Sequence, residues 1–227
     1  MDVVEAISKR RSIRGFKSDP VPVDILRKIV DGALHAPSAS NTQPWELAVV
    51  GGAKLEEIKQ ACVENADKPS VLDIPATMQY PEPWVSRRRT VMAGILGKLG
   101  IAREDKQKRI EWGICGCKLW GAPCAIYIMI DRSFHVIGDA INVWPLFDCG
   151  LIAQNILLLA TQYGLGSIPA IEPVLYPDIL RKILDLPDSK LMVMGIAIGY
   201  PDWDNPVNQF RSEREPLNKV ARFYTLT

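Results

Sequence analysis

Apolar positions along this chain change their period several times, and each change marks an element. Val3, Val4, Ala6 and Ile7 fall on one face of a short N-terminal helix. Ile25, Ile29, Val30 and Ala33 recur at helical spacing after Val21-Pro22-Val23-Asp24, which predicts a helix over 25–34. Trp45 to Val50 reads as a strand closed by Gly51-Gly52, and Lys54 to Glu64 as another helix. The near-continuous run Ala125-Ile126-Tyr127-Ile128-Met129-Ile130 is the pattern of a strand buried on both faces. Asp148 to Tyr163 is apolar on most faces and belongs in the middle of the structure as a helix. Leu191 to Ile198 forms a third apolar strand, ending at Gly199-Tyr200-Pro201. Helix and strand alternate, so the class is α/β or α+β.

Between these blocks lie less regular stretches. Ala36 to Pro44 is a loop dense in small and polar residues. Residues 67–113 contain Pro69, Pro75, Pro81 and Pro83, then Arg87-Arg88-Arg89 opening a helix with Met92, Ile95, Leu96 and Leu99. Arg103 to Glu111 predicts a second, strongly charged helix. This region reads as a helical insertion over the core of a single domain spanning 1–227, either a lid on a pocket or a solvated helical hairpin. From Asn205 onward, Pro206, Pro216 and many charges leave little periodicity, the pattern of a mobile tail or of an arm lying on another subunit.

Composition narrows the possibilities. At 227 residues the chain supports a sizeable core, and 48% hydrophobic residues with a net charge of +1 give no electrostatic grip on nucleic acid or membrane. Asp2 and the absence of an apolar run beside it argue against a secretory signal, so a soluble cytoplasmic protein is expected. Cys115, Cys117 and Cys124 lack a suitably spaced fourth ligand, with His35 and His135 distant in sequence, so no metal site is expected. The same scarcity of histidine disfavours a hydrolytic triad. Neither G-x-G-x-x-G nor the P-loop pattern occurs.

The densest chemistry lies in Arg10-Arg11-Ser12-Ile13-Arg14-Gly15-Phe16, where three guanidinium groups and a hydroxyl crowd one turn. Such forks either bind phosphate through paired, charge-assisted hydrogen bonds or form a solvated basic turn. Three further segments join this one: Ala36-Pro37-Ser38-Ala39-Ser40-Asn41-Thr42-Gln43-Pro44-Trp45, then Asp148-Cys149-Gly150 through Gln154-Asn155 to Gly164-Leu165-Gly166-Ser167, and Arg214-Glu215-Pro216-Leu217. In order and spacing the four resemble the nitroreductase family of FMN-dependent homodimeric flavoproteins.

That resemblance implies an α+β, three-layer fold with a central, mostly antiparallel sheet flanked by helices and a C-terminal arm extended onto the partner subunit. It implies FMN as cofactor, NADH or NADPH as reductant, and a nitroaromatic, quinone or similar small aromatic acceptor reduced by ping-pong transfer through flavin N5. Arg10, Arg11 and Ser12 would surround the phosphate and ribityl chain, with Arg211 and Arg214 from the tail. Arg14 would lie at the pyrimidine edge, and Ser167, Pro169, Ala170 and Ile171 would run past N5. Pro37, Ser38, Ala39, Asn41 and Gln43 would reach FMN from the partner subunit, making the homodimer interface the cofactor site. Tyr80, Trp84 and Trp112 are candidates to stack on the acceptor, and no obligatory catalytic side chain is expected. The stretch Ile168-Pro169-Ala170-Ile171-Glu172 departs from the family's usual sequence after Gly-Leu-Gly. Rival readings are a reductive dehalogenase or flavin-fragmenting enzyme of the same superfamily, or a flavin-binding protein without turnover.

Overall fold

A computed structural model describes residues 1–77 and 79–224 of the chain. Its centre is an antiparallel sheet in the order β1 (Trp45–Gly51), β2 (Cys124–Asp131), β6 (Lys190–Gly199), β5 (Gly166–Ala170). A separate small hairpin pairs β3 (Val136–Ile137) with β4 (Ala140–Ile141). Helices α1 (Val3–Lys9), α2 (Val23–Ala33) and α3 (Gly52–Glu64) precede α4 (Trp84–Lys98), α5 (Lys106–Cys117) and the short α6 (Arg132–His135). Helices α7 (Trp144–Gln162), α8 (Pro177–Leu184) and α9 (Leu217–Val220) follow.

The unbroken apolar run of β2 is explained by two cores. Cys124, Ile126, Ile128 and Ile130 face the core built with α2 and α7, whereas Ala125, Tyr127 and Met129 face the core built with α3 and α8. A strand covered on both faces buries every side chain, so polar alternation disappears. In β6 the alternation changes parity: Leu191 joins the first core and Met192 the second, yet further along Ile196 and Ile198 join the first and Ala197 the second. The pairing shifts there, Ile128 opposing Met194 and Met129 opposing Met192, so Val193 is the extra residue of a bulge. One inserted residue exchanges the faces of all that follow.

The layered α+β fold matches the expectation, and several boundaries and elements differ. α7 begins at Trp144 rather than Asp148, with Pro145 in its first turn and the Asn142 side chain accepting from the Trp144 N–H at 3.2 Å. α5 lies later than the charged pattern suggests, because Asp105 caps it by accepting from Lys108 N–H at 3.0 Å. β5 carries no clear periodic signal, and α8, whose Ile179, Leu180, Ile183 and Leu184 share one face, is an element the sequence reading did not assign. β5 holds Gly166 and Pro169, which an edge strand tolerates. Residues before α4 are anchored by a buried ion pair: Asp73 accepts from Arg181 of α8 at 2.6 Å and from the Met192 N–H of β6 at 2.9 Å. Among the described residues α7 is the helix long and apolar enough to cross a membrane, and its Cys149, Ile152, Ile156 and Ala160 are buried in the first core.

Candidate functional site

The N-terminal arginines are positioned by a change from helix to extended chain. Asp2 caps α1 by accepting from Glu5 N–H at 2.8 Å, and the helix gives way to extended backbone at Arg10. Ser12 then bridges Ser167 of β5 in parallel, with Ile13 N–H donating to Ser167 O at 3.1 Å and the Ile13 side chain buried. Side chains alternate along such a segment, so Ile13 points inward while its neighbours stay on the outer side.

Asn208 locks this segment to the C-terminal part of the chain. It is 1% exposed; its side-chain oxygen accepts from Arg14 N–H at 2.8 Å, and its amide nitrogen donates to Gly15 O at 2.7 Å and Asp202 O at 2.8 Å. Arg11 donates to Asn208 O at 3.4 Å and lies 4.9 Å over the Trp203 ring. Arg211 donates to Ser8 O, and Arg214 to Ser212 Oγ at 2.9 Å. Residues from both ends of the chain thereby share one cavity.

That cavity, of about 310 Å³, is lined by Arg10, Arg11, Ser12, Arg14, Arg211 and Arg214, together with Ile7, Ser8, Val91, Phe210 and Ser212. Its lining contains no acid among the described residues. The Arg10 guanidinium is held below its ordinary pKa first by burial, then by the charges of Arg214 and Arg211. Arg14 is lowered by burial, with Glu172 pulling the other way. Mutually repelling cations in a partly desolvated hollow are stabilised by a bound anion. The residues present therefore fit a phosphate ester, which a solvated basic turn would not explain.

A second cavity of about 490 Å³ adjoins the first, with Arg14 and Val91 on both linings. Its floor is the β5 end, Ile168, Pro169, Ala170, Ile171 and Glu172, and its walls are α4 and α5. Two glycines set these walls. A Cβ at Gly94 would stand 2.2 Å from the Phe210 ring, and one at Gly116 2.7 Å from Glu172 Cγ. Absence of both side chains lets α4 seat on the tail and α5 on the β5 end.

Of the acceptor candidates, Trp112 lines this cavity, whereas Tyr80 and Trp84 do not, being 40% and 54% exposed on the surface. Ser167 lies in β5; it is buried, lines neither cavity, and its hydroxyl has no hydrogen-bond partner among the described residues. Pro37, Ser38, Ala39, Asn41 and Gln43 also line neither cavity of their own chain. Their loop is nevertheless held firmly: Ala39 N–H donates to the buried Asp148 carboxylate at 3.3 Å and Gln43 N–H donates to Ser38 Oγ at 2.9 Å, while Asn155 Nδ2 donates to Ala33 O at the end of α2 at 3.4 Å. Ser40, Asn41 and Gln43 have φ of 49°, 57° and 46°, a strained backbone for exposed residues. Of the three cysteines, Cys115 donates to Glu111 O at 3.4 Å, while Cys117, at the end of α5, and Cys124, in β2, are buried.

Sequence reasoning overlooked Asn208 as the clamp on the arginine segment and Arg88, Arg109 and Glu172 as cavity residues. An asparagine in a polar tail carries no sequence signal of burial, and helical spacing places Arg88 on a stripe only once the covered side of α4 is known.

A model of the nitroreductase family matches residues 7–200. Nitroreductase NfnB of Mycolicibacterium smegmatis is 31% identical over 221 residues, covering 96% of this chain and 90% of that protein. Chloronitrobenzene nitroreductase of Comamonas testosteroni is 32% identical over 225 residues, covering 96% and 95%. Among solved structures, the FMN and NADPH-dependent nitroreductase NfnB of Sphigopyxis sp. strain HMH superposes with a TM-score of 0.92 at 29% identity, over the whole of both chains. With the fold, the four motifs and these relatives in agreement, the chain belongs to the nitroreductase family.

Proposed function

We propose that this protein is an FMN-dependent oxidoreductase that uses NAD(P)H to reduce nitroaromatic or similar electron-poor acceptors by a ping-pong cycle. The observation that carries the reading is the acid-free cavity in which Arg10, Arg11, Arg211 and Arg214 meet. When bound, FMN supplies hydride exchange at N5, first with the nicotinamide and then with the acceptor. Arg10, Arg11, Arg211, Arg214 and Ser12 hold the phosphate, and their charges are neutralised by it. Arg14, on the lining common to both cavities, would stabilise the negative charge that the reduced flavin ring carries. Pro169, Ala170 and Ile171, on the floor of the second cavity, would supply backbone beside the flavin N5. Gly94 and Gly116 keep α4 and α5 close, so that the walls limit water. Trp112 gives the acceptor a flat apolar face.

A homodimer is part of the reading. Val3, Val4 and Ile7 of α1, Trp144 and Phe147 of α7, and Phe223 and Tyr224 of the tail are exposed apolar residues, an arrangement suited to burial against a second copy. The strained 37–43 loop, which lines neither cavity of its own chain, then serves the site of the other chain. The tail beyond Arg214 extends over that partner. The reading also takes the protein to be soluble and cytoplasmic.

The test is spectroscopic. The purified protein, loaded with FMN, should be yellow, bleach on anaerobic addition of NADPH or NADH, and regain its colour on addition of nitrobenzene. Protein that takes up no FMN refutes the cofactor assignment. Protein that bleaches but is not reoxidised by any nitroarene or quinone refutes the acceptor class, and deiodination of iodotyrosine would favour the dehalogenase alternative.

A further inference from the structure

The walls of the 490 Å³ cavity carry more positive charge than the proposed cofactor uses. On α4 the lining residues Arg88, Val91, Met92 and Ile95 follow the spacing i, i+3, i+4, i+7, and on α5 Arg109, Trp112, Gly113 and Gly116 repeat it. Each wall is therefore one helical stripe headed by an arginine and continued by apolar or small residues. The arginines flanking Arg88 are paired elsewhere, Arg87 with Glu215 at 2.8 Å and Arg89 with Glu82 at 4.0 Å. Arg88 has no acidic partner within ion-pair distance among the described residues, and Arg109 donates to a neutral group, Arg103 O, at 3.0 Å. Arg14, Arg88 and Arg109 thus face a lining whose single acid, among the described residues, is Glu172.

We infer that this cavity selects planar aromatic acceptors bearing a carboxylate, with Arg88 and Arg109 as the residues that read the charge. The inference rests on the nitroreductase reading of the same cavity. A guanidinium fork matches a carboxylate in two parallel hydrogen bonds, while Trp112 and Trp120 on the same lining supply aromatic surface for the acceptor's ring. Both arginines are exposed in the free protein, so solvent screens them and the selection is moderate in size. A cleft whose lining is net positive, three arginines against Glu172, also concentrates an oppositely charged substrate before it docks.

The test compares kcat/KM for 4-nitrobenzoate with that for the neutral 4-nitrobenzamide in FMN-loaded protein, for wild type, Arg88→Gln, Arg109→Gln and the double variant. Dividing each variant's ratio by that of wild type removes the different intrinsic reactivities of the two nitroarenes. The benzoate-to-benzamide ratio should fall about threefold to fivefold in each single variant, and roughly tenfold in the double, with the effect shrinking in high salt. Quenching of tryptophan fluorescence by the two nitroarenes without NADPH should show the same loss in dissociation constants. Equal losses for both acceptors, or an unchanged ratio, overturn the inference. A loss that appears only when NADPH replaces NADH also overturns it, moving the arginines to the 2′-phosphate of the reductant. If wild type turns over neither nitroarene, the nitroreductase reading fails, and the quenching titration still decides the charge preference.

Discussion

Replacing Arg10 by glutamine should weaken FMN binding while leaving the cofactor-free protein as stable as before, or slightly more so. Arg10 is half-buried beside Arg211 and Arg214, and its pKa is depressed by burial and by those two charges. In the empty cavity its charge is a liability. Its removal should relieve a few tenths of a kcal/mol of screened repulsion. With a phosphate present the sign reverses, because a hydrogen bond to a charged group contributes about 1.5–3 kcal/mol. Partial exposure puts Arg10 near the lower end, about 1.5 kcal/mol, or somewhat more than a tenfold rise in Kd. The assay is a cycle of two proteins and two ligands: Kd for FMN and for riboflavin, which lacks the phosphate, each measured by flavin fluorescence quenching. Riboflavin affinity should be unchanged by the substitution, so the FMN-specific difference isolates the phosphate contact. Equal losses for both ligands would point to a general disturbance of the cavity. No loss for FMN in either Arg10→Gln or Arg214→Gln would refute the phosphate assignment.

Gly94→Ala should destabilise the protein by about 1–3 kcal/mol, because the new Cβ meets the rigid Phe210 ring; Phe210→Ala should restore much of the loss in the double variant, read by urea denaturation. Asp73→Ala should cost about 3–5 kcal/mol, since Arg181, 7% exposed at its side chain, loses its buried partner; a cost under 1 kcal/mol would show that Asp178 and Lys190 O suffice. Burial pushes the Cys124 and Cys149 thiols up to about 12, with Asp148 adding to the effect at Cys149. The unfolded chain ionises these thiols near pH 8.5, so their contribution to stability is full below that pH and is lost as pH rises toward about 12. The urea midpoint should accordingly fall across this alkaline range, and less steeply in a Cys124→Ala, Cys149→Ala variant. Both thiols should also resist a disulfide reagent at pH 8 until the protein unfolds.

The parts of the fold legible from the sequence were those in which a local period reports burial directly. β2 announced itself as buried on both faces because Ala125 to Ile130 leaves no polar position, and α7 because Ile152, Ile156 and Ala160 sit among apolar neighbours on most sides. α8 carries a clear period, with Ile179, Leu180, Ile183 and Leu184 on one face, that the sequence reading passed over, whereas β5 was not legible: it is five residues with a glycine and a proline, too short to express a period. The parity change in β6 was equally invisible, since Leu191 to Ile198 is apolar in either register and only the pairing with β2 singles out Val193.

The same division holds for the site. Arg10, Arg11, Ser12 and Arg14 were nominated by the sequence, because three guanidinium groups and a hydroxyl within five positions are a local fact. That Arg211 and Arg214, some two hundred residues away, meet them in an acid-free hollow is a property of the tertiary structure, fixed by Asn208 bonding across the gap. Tyr80 and Trp84 were put forward on aromatic character alone, and packing left both on the surface while placing Trp112 in the cavity. Sequence determines which chemistry is available and which stretches must be buried, because side-chain type and short-range period are local quantities. Which charges end up facing one another is decided by long-range packing, because burial and electrostatic fields depend on neighbours that the chain order does not reveal.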